Sequence, residues 1–125
     1  MIFGIGIDLV EVDRLRSSVK KFGDKFLNRI FTENEIKYCQ TKFNSYQHYA
    51  VRFAAKEALL KAIGTGLRSG MTWHQIEIVN DTQAKPSIIT YGECQKFLQK
   101  LEIKKIELSL SHTKDHGVAV VILEQ

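Results

Sequence analysis

The chain has 125 residues, 44% hydrophobic and 26% charged, with eight glycines, one proline and a formal net charge of +4. That length lets a folded chain bury roughly two-thirds of its unfolded surface, enough for one domain over residues 1–125 without disulfide or zinc staples, while the apolar fraction and ordinary Gly and Pro content exclude disordered, collagen-like and low-complexity classes. The longest apolar stretch, residues 118–123, is far below the roughly 20 of a membrane helix, no basic leader precedes Asp8, and Cys39 and Cys94 have no CxxC partner, so a cytoplasmic protein with free, buried thiols is expected.

Residues 2–10 set β-branched side chains around Gly4 and Gly6, which predicts a first strand that another element approaches closely. Over residues 11–30 the apolar Val12, Leu15, Val19, Phe22, Phe26 and Ile30 recur every three or four positions, a helical pattern with a break at Gly23. Arg14, Arg16, Lys20, Lys21, Lys25 and Arg29 crowd the rest of that surface. Thr32 and Glu35 have the spacing of a capping box, so a further helix starts there and Glu35 has a purely structural role open to it. Residues 45–63 form the clearest helix. One apolar arc holds Val51, Ala55, Ala58, Leu59, Ala62 and Ile63 with Arg52 near its edge, while Lys56, Glu57 and Lys61 fall outside it.

Gly64-Thr65-Gly66 ends that helix. Residues 76–79 and 88–91 read as a hairpin, 92–101 as a short helix, 106–111 as a cleanly alternating strand and 117–123 as an apolar one. The order is β, three helices, β, β, α, β, β. Segregated strands and helices of this kind predict an α+β fold, a mainly antiparallel sheet with a long central helix.

Two acids stand out by position. Asp8, near the end of the first strand, is either the N-cap of the following helix or a ligand for a hard cation. Glu57 has Lys61 four residues on, an ordinary helix pair, but it is equally suited to share a cation with Asp8. Magnesium characteristically takes one or two carboxylates plus phosphate oxygens and water, so a phosphate-bearing substrate would complete such a site. Lys61, Gly64, Gly66 and Arg68 concentrate cations and free backbone amides suited to phosphate, although neither GxxxxGK[ST] nor a complete dinucleotide fingerprint is present. Ser109, Ser111, His112, Thr113 and Lys114 form a second donor-rich cluster, or a plain solvated strand end. Ser111 and His112 are adjacent and point to opposite faces of a strand, so a serine-hydrolase pair fails.

Gly4-Ile5-Gly6-Ile7-Asp8-Leu9-Val10-Glu11, Phe31-Thr32-Glu33-Asn34-Glu35, Arg52-Phe53-Ala54-Ala55-Lys56-Glu57-Ala58, Lys85-Pro86 and Ser109-Leu110-Ser111-His112 resemble, in order and spacing over essentially the whole chain, the bacterial holo-acyl-carrier-protein synthases. These are the short, single-repeat type of 4′-phosphopantetheinyl transferase. The resemblance implies transfer of the 4′-phosphopantetheine arm of coenzyme A to a serine of apo-acyl carrier protein, in support of fatty acid biosynthesis. It implies Asp8 and Glu57 as magnesium ligands, and Lys61 beside the pyrophosphate. By the same resemblance Arg52, Gly64, Gly66, Lys85, Pro86, Ser111, His112, Thr113 and Lys114 fall in coenzyme A-binding segments. The general base stays open between Glu57 and a water oriented by Glu35. A homotrimer with coenzyme A between neighbouring chains is implied too, and the apolar residues on both faces of 118–123 offer a surface for it. Ala84 stands where the family usually has glycine, so the hairpin turn is expected not to use positive φ freely.

The +4 charge then divides in two. Lys61, Arg68 and Lys114 are assigned to coenzyme A phosphates, and Arg14, Arg16, Lys21, Lys25 and Arg29 to an acidic carrier protein. A competing reading, a small basic nucleic-acid-binding module, rests on the pI of 9.1 and the basic helical stretch. Against it, only Phe3 and Tyr91 among the aromatics fall in predicted strands and no RNP-like motif occurs, so neither nucleic acid nor membrane is the expected partner.

Overall fold

The computed structural model describes residues 1–68 and 70–125. Its elements are β1 (Ile2–Glu11), α1 (Val12–Phe22), α2 (Asp24–Ile30), α3 (Glu33–Gln40), α4 (Ser45–Ile63), a short 3₁₀ turn (Trp73–Gln75), β2 (Ile76–Asn80), β3 (Pro86–Thr90), α5 (Gly92–Lys100), β4 (Lys105–His112) and β5 (His116–Glu124). The expected α+β class holds, with every strand pair antiparallel and the strands divided between a three-stranded sheet, β1-β5-β4, and the β2-β3 hairpin. The predicted 11–30 helix is two helices, because Gly23 turns the chain between them.

The three-stranded sheet wraps α4 on one face. Gly4, Gly6 and Asp8 share that face of β1, while Ile5, Ile7 and Leu9 point outward opposite Ile122, Val120 and Val118 of β5. Glycine is required at the crossing: a Cβ on Gly4 would lie 2.1 Å from the Ala62 carbonyl oxygen. Ala58 and Ala62 meet Gly4 and Gly6 from the helix, both buried, so the two backbones approach where large side chains would hold them apart.

The amphipathic reading of α4 was too narrow. Tyr49, Ala50, Val51, Ala54, Ala55, Lys56, Ala58, Leu59 and Leu60 are all buried, so the helix is enclosed around most of its circumference by β1, β5 and the α1–α3 side. A helix buried on all sides loses the single apolar stripe that periodicity detects. Lys56, which falls outside the arc at 100° per residue, is one of the most deeply buried side chains of the fold.

The hairpin turn also departs from expectation. Ala84 does adopt positive φ, +64°. Its N–H donates to the Asp81 carbonyl at 2.9 Å, its carbonyl accepts from the Asn80 amide at 3.1 Å, and the Asp81 carboxylate accepts from the N–H groups of Gln83 and Lys85, each at 2.8 Å. These bonds hold an alanine in a conformation that costs an L-residue about 1–2 kcal/mol.

Candidate active site

Asp8 sits on the inward face of β1, two residues beyond the glycine crossing, and its carboxylate meets α4. Lys61 Nζ donates to Asp8 Oδ1 at 2.9 Å and to the Ile7 carbonyl at 3.1 Å. The N-cap position of α1 belongs to Glu11, so Asp8 is not the helix cap. Lys61 likewise turns to Asp8 instead of forming the helix pair with Glu57.

Glu57 lies one turn before Lys61 and shares with Asp8 the wall of a cavity of about 370 Å³, which Arg14 and Ser18 of α1, Phe26 of α2 and Phe53 of α4 help to line. Burial, followed by repulsion from the Asp8 carboxylate, raises the Glu57 carboxyl above its ordinary value, with Lys61 opposing. Two mutually repelling carboxylates on a cavity wall fit a hard divalent cation whose other ligands are phosphate and water oxygens. Among the described residues no group of three or more His, Cys, Asp or Glu offers a fuller cage.

Glu35 is elsewhere, and its proposed part as orienter of a catalytic water is corrected. It is 1% exposed. One carboxylate oxygen accepts from Lys56 Nζ at 2.7 Å and from the Thr32 N–H at 2.8 Å, the other from the Ile78 N–H at 2.9 Å, and the Thr32 hydroxyl accepts from the Glu35 N–H. The capping box is therefore formed and the carboxylate is saturated by protein donors. Lys56 Nζ completes its own shell with the carbonyls of Ile30 and Trp73. Burial pulls the Lys56 ammonium toward its neutral form and the Glu35 charge opposes that. Glu77, also buried, accepts from the hydroxyls of Thr32 at 2.6 Å and Tyr91 at 2.8 Å, tying the hairpin into the same polar core. Sequence reading missed this core because Lys56 and Glu35 are far apart in the chain and each looks like surface.

Arg52 is 2% exposed, yet among the described residues no carboxylate pairs with it. Its Nη2 donates to Asn80 Oδ1 at 2.6 Å and its Nη1 to the His48 carbonyl at 3.3 Å, while the buried Nε has no hydrogen-bond partner. A buried guanidinium with an open donor is suited to an anionic ligand. Asn80 pairs with Pro86 across the hairpin, which brings the Lys85-Pro86 end toward Arg52. His112, the last residue of β4, packs on His48 at 5.4 Å between ring centroids. Thr113 Oγ1 accepts from the N–H groups of Asp115 and His116 and so closes the β4–β5 turn, next to exposed Ser111 and Lys114.

Gly64 and Gly66 lie at the opposite end of α4, both exposed, beside Arg68, whose guanidinium stacks on Phe97. From Arg52 to Gly64 the helix rises about 18 Å. The coenzyme A candidates thus form two groups, one from Arg52 toward the N-terminal half of α4 and one at its C-terminal end, with Glu57 and Lys61 on the stretch of helix between them.

The basic residues also separate. Arg14 borders the Asp8–Glu57 cavity, and Lys21, Lys25 and Arg29 are exposed on α1 and α2. Arg16 pairs with Asp13, stacks on Tyr46 and lines a different groove with Lys114, so it does not share the surface of Arg14.

A family model of the 4′-phosphopantetheinyl transferase superfamily matches residues 4–121. A holo-[acyl-carrier-protein] synthase of Koribacter versatilis is 49% identical over 124 residues, 99% of each chain. The crystal structure of the Neisseria meningitidis synthase superposes with a TM-score of 0.93 at 37% identity, covering 100% of both chains. That of the Helicobacter pylori synthase in complex with coenzyme A gives 0.84 at 31%, covering 96% of this chain and 99% of that one. With nearly its whole length matched, the chain belongs to the 4′-phosphopantetheinyl transferase superfamily and, within it, to the holo-[acyl-carrier-protein] synthases.

Proposed function

We propose that the chain transfers 4′-phosphopantetheine from coenzyme A to a serine of apo-acyl carrier protein at the cavity walled by Asp8 and Glu57, the two carboxylates that would hold magnesium. The observation that carries this reading is the meeting of Asp8 and Glu57 on one cavity wall, with Lys61 bonded to Asp8, in a chain of this family. The serine oxygen bonds to the phosphorus that bears the pantetheine arm, and the pyrophosphate bridge breaks. Adenosine 3′,5′-bisphosphate leaves. When bound, magnesium would polarise the phosphoryl oxygens and offset their developing charge.

Glu57 takes the serine proton, because it is the wall carboxylate that Lys61 leaves unpaired. Lys61, half-exposed and already drawn to this wall, stabilises the departing phosphate. Arg52, with its open Nε, together with His112, Thr113, Lys114, Lys85 and Pro86, binds the nucleotide half of coenzyme A, and Gly64 and Gly66 contribute backbone donors. The two groups stand apart along α4, about 18 Å from Arg52 to Gly64. Each active site is therefore shared between adjacent copies in a homotrimer, one copy supplying each group. Ile5, Ile7 and Leu9 are 61%, 59% and 62% exposed in a row on the outer sheet face beside the half-buried Val118, Val120 and Ile122, and that apolar face is what the neighbouring copy covers.

Arg14, Lys21, Lys25 and Arg29 dock an acidic carrier next to the cavity that Arg14 borders. No helix among the described residues is long and apolar enough to cross a membrane, and the enzyme works in the cytoplasm on carriers of fatty acid biosynthesis.

The test mixes the protein, coenzyme A, magnesium and apo-acyl carrier protein, and follows the carrier by mass spectrometry. A mass gain of one phosphopantetheine on the carrier, dependent on magnesium, is expected; an unmodified carrier overturns the reading.

A further inference from the structure

Arg52 and His112 come from different elements, α4 and β4, and one half-buried residue joins them. The His48 ring lies 5.4 Å from the His112 ring, tilted by 57°, and 5.8 Å from the Tyr38 ring in an edge-on arrangement of 72°. The guanidinium of Arg52 stacks on the same Tyr38 ring at 4.2 Å, and its Nη1 donates to the His48 carbonyl. The Lys42 ammonium is 4.7 Å from that ring as well. A continuous column therefore runs from Lys42 and Arg52 through Tyr38 and His48 to His112.

From this geometry we infer that His48 is a positioning residue for the nucleotide half of coenzyme A, acting through His112 and Arg52 without touching the ligand. The inference rests on the transferase reading above.

His112 ends its strand exposed to solvent, where a side chain samples several rotamers and binding a ligand costs the entropy of selecting one. Stacking on His48 selects that rotamer beforehand. The His48 ring suits the task because it is neutral: burial first, then the charges of Arg52, His112 and Lys42, push its pKa down to about 4. It thus offers a polarisable face between cationic groups without adding a further charge. Such a role depends on ring shape, so phenylalanine can perform it and alanine cannot.

Steady-state kinetics on the full-length chain tests this, with coenzyme A and apo-carrier varied separately. His48→Ala is expected to raise KM for coenzyme A about fivefold, the size of a lost aromatic pair, with kcat and the carrier KM held within about twofold. His48→Phe restores the coenzyme A KM. In a His112→Ala background the His48→Ala change adds less than about twofold, since the ring's route to the ligand is gone and the carbonyl that accepts from Arg52 is kept in alanine. An unchanged coenzyme A KM in His48→Ala, a failure of phenylalanine to restore it, or equal losses toward both substrates overturns the inference. An inactive wild-type chain overturns the transferase reading itself, and this inference with it.

Discussion

The Cβ that Gly6 lacks would lie 1.9 Å from the Ala58 carbonyl oxygen, on the backbone of the helix that carries Glu57. No side-chain adjustment relieves a clash with backbone, so Gly6→Ala must push β1 off α4. Overpacking a core commonly costs about 1–3 kcal/mol, and a backbone collision inside van der Waals range belongs at or above the top of that range. Gly6→Ala is expected to lower Tm by about 10 °C or more on the scale of a few degrees per kcal/mol, or to fail to accumulate as soluble protein. A variant melting within about 2 °C of wild type, by the same scale, would show that the crossing has slack.

The buried pair of Lys56 and Glu35 makes a second prediction. Removing one partner of a buried ion pair leaves an uncompensated charge and costs about 3–5 kcal/mol, whereas neutralising both can be nearly harmless. Lys56→Met is expected to show that loss in urea unfolding. Lys56→Met combined with Glu35→Gln is expected to recover part of it, because no buried charge is left, while the recovery stays partial because Thr32 and Ile78 donate to different carboxylate oxygens and the glutamine amide oxygen can accept from only one of them. Strict additivity of the two changes would contradict an interacting pair.

Much of this architecture is legible in the residues. The glycine spacing of β1, the break at Gly23, the Thr32–Glu35 box and the alternation of β4 all report local constraints, and each reappears in the fold. What escaped is long-range. The burial of Lys56 depends on a partner 21 positions away, and the column through Tyr38 and His48 depends on β4 arriving beside α4. Hydrophobic periodicity carries no sign of either, since a charged or imidazole side chain scores as surface whatever tertiary partner awaits it. The site was legible to a different degree. Asp8, Glu57 and Lys61 do converge, while Glu35 turned out to satisfy the capping half of its two expected roles.

Ala84 offers a test of opposite sign. At φ +64° glycine carries no Cβ penalty, so Ala84→Gly is expected to gain stability, by less than about 1–2 kcal/mol because glycine also loses more entropy on folding. Thermal melting should show a rise of a few degrees. A fall would mean that the entropy glycine loses on folding outweighs the relief at φ, since the substitution keeps the backbone N–H and carbonyl that bond Asp81 and Asn80.

Asp8→Ala and Glu57→Ala remove the two cavity-wall carboxylates. Asp8 ties β1 to α4 only through its pair with the half-exposed Lys61, and such partly exposed pairs contribute little, so both variants are expected to keep the wild-type circular dichroism spectrum and melt within a few degrees of wild type. Transfer to the carrier should fall by at least about a hundredfold, the usual scale for losing a charge-stabilising group at a phosphoryl centre. Calorimetric titration of the coenzyme A-bound chain with magnesium should show heat for wild type and none for either variant. Near-wild-type turnover in both would remove them from the metal site.

His48 also makes stability depend on acidity. Its pKa in the fold is about 4, below the value near 6.5 of an unperturbed imidazole, so the folded chain holds the ring neutral where the unfolded chain protonates it. The sign follows directly: the unfolded state binds more protons as pH falls through 6.5, and stability drops until the folded ring titrates near 4. Between about pH 6.5 and 5 the structural carboxylates remain mostly ionised, which leaves histidines as the main titrating groups. Over that window wild type is expected to lose more Tm than His48→Phe, whose ring packs in the same place and binds no proton. The comparison cancels the exposed His74, His112 and His116, present in both proteins. Parallel pH profiles would mean that His48 takes up its proton as readily folded as unfolded, and so does not sit as a neutral ring between Arg52 and His112.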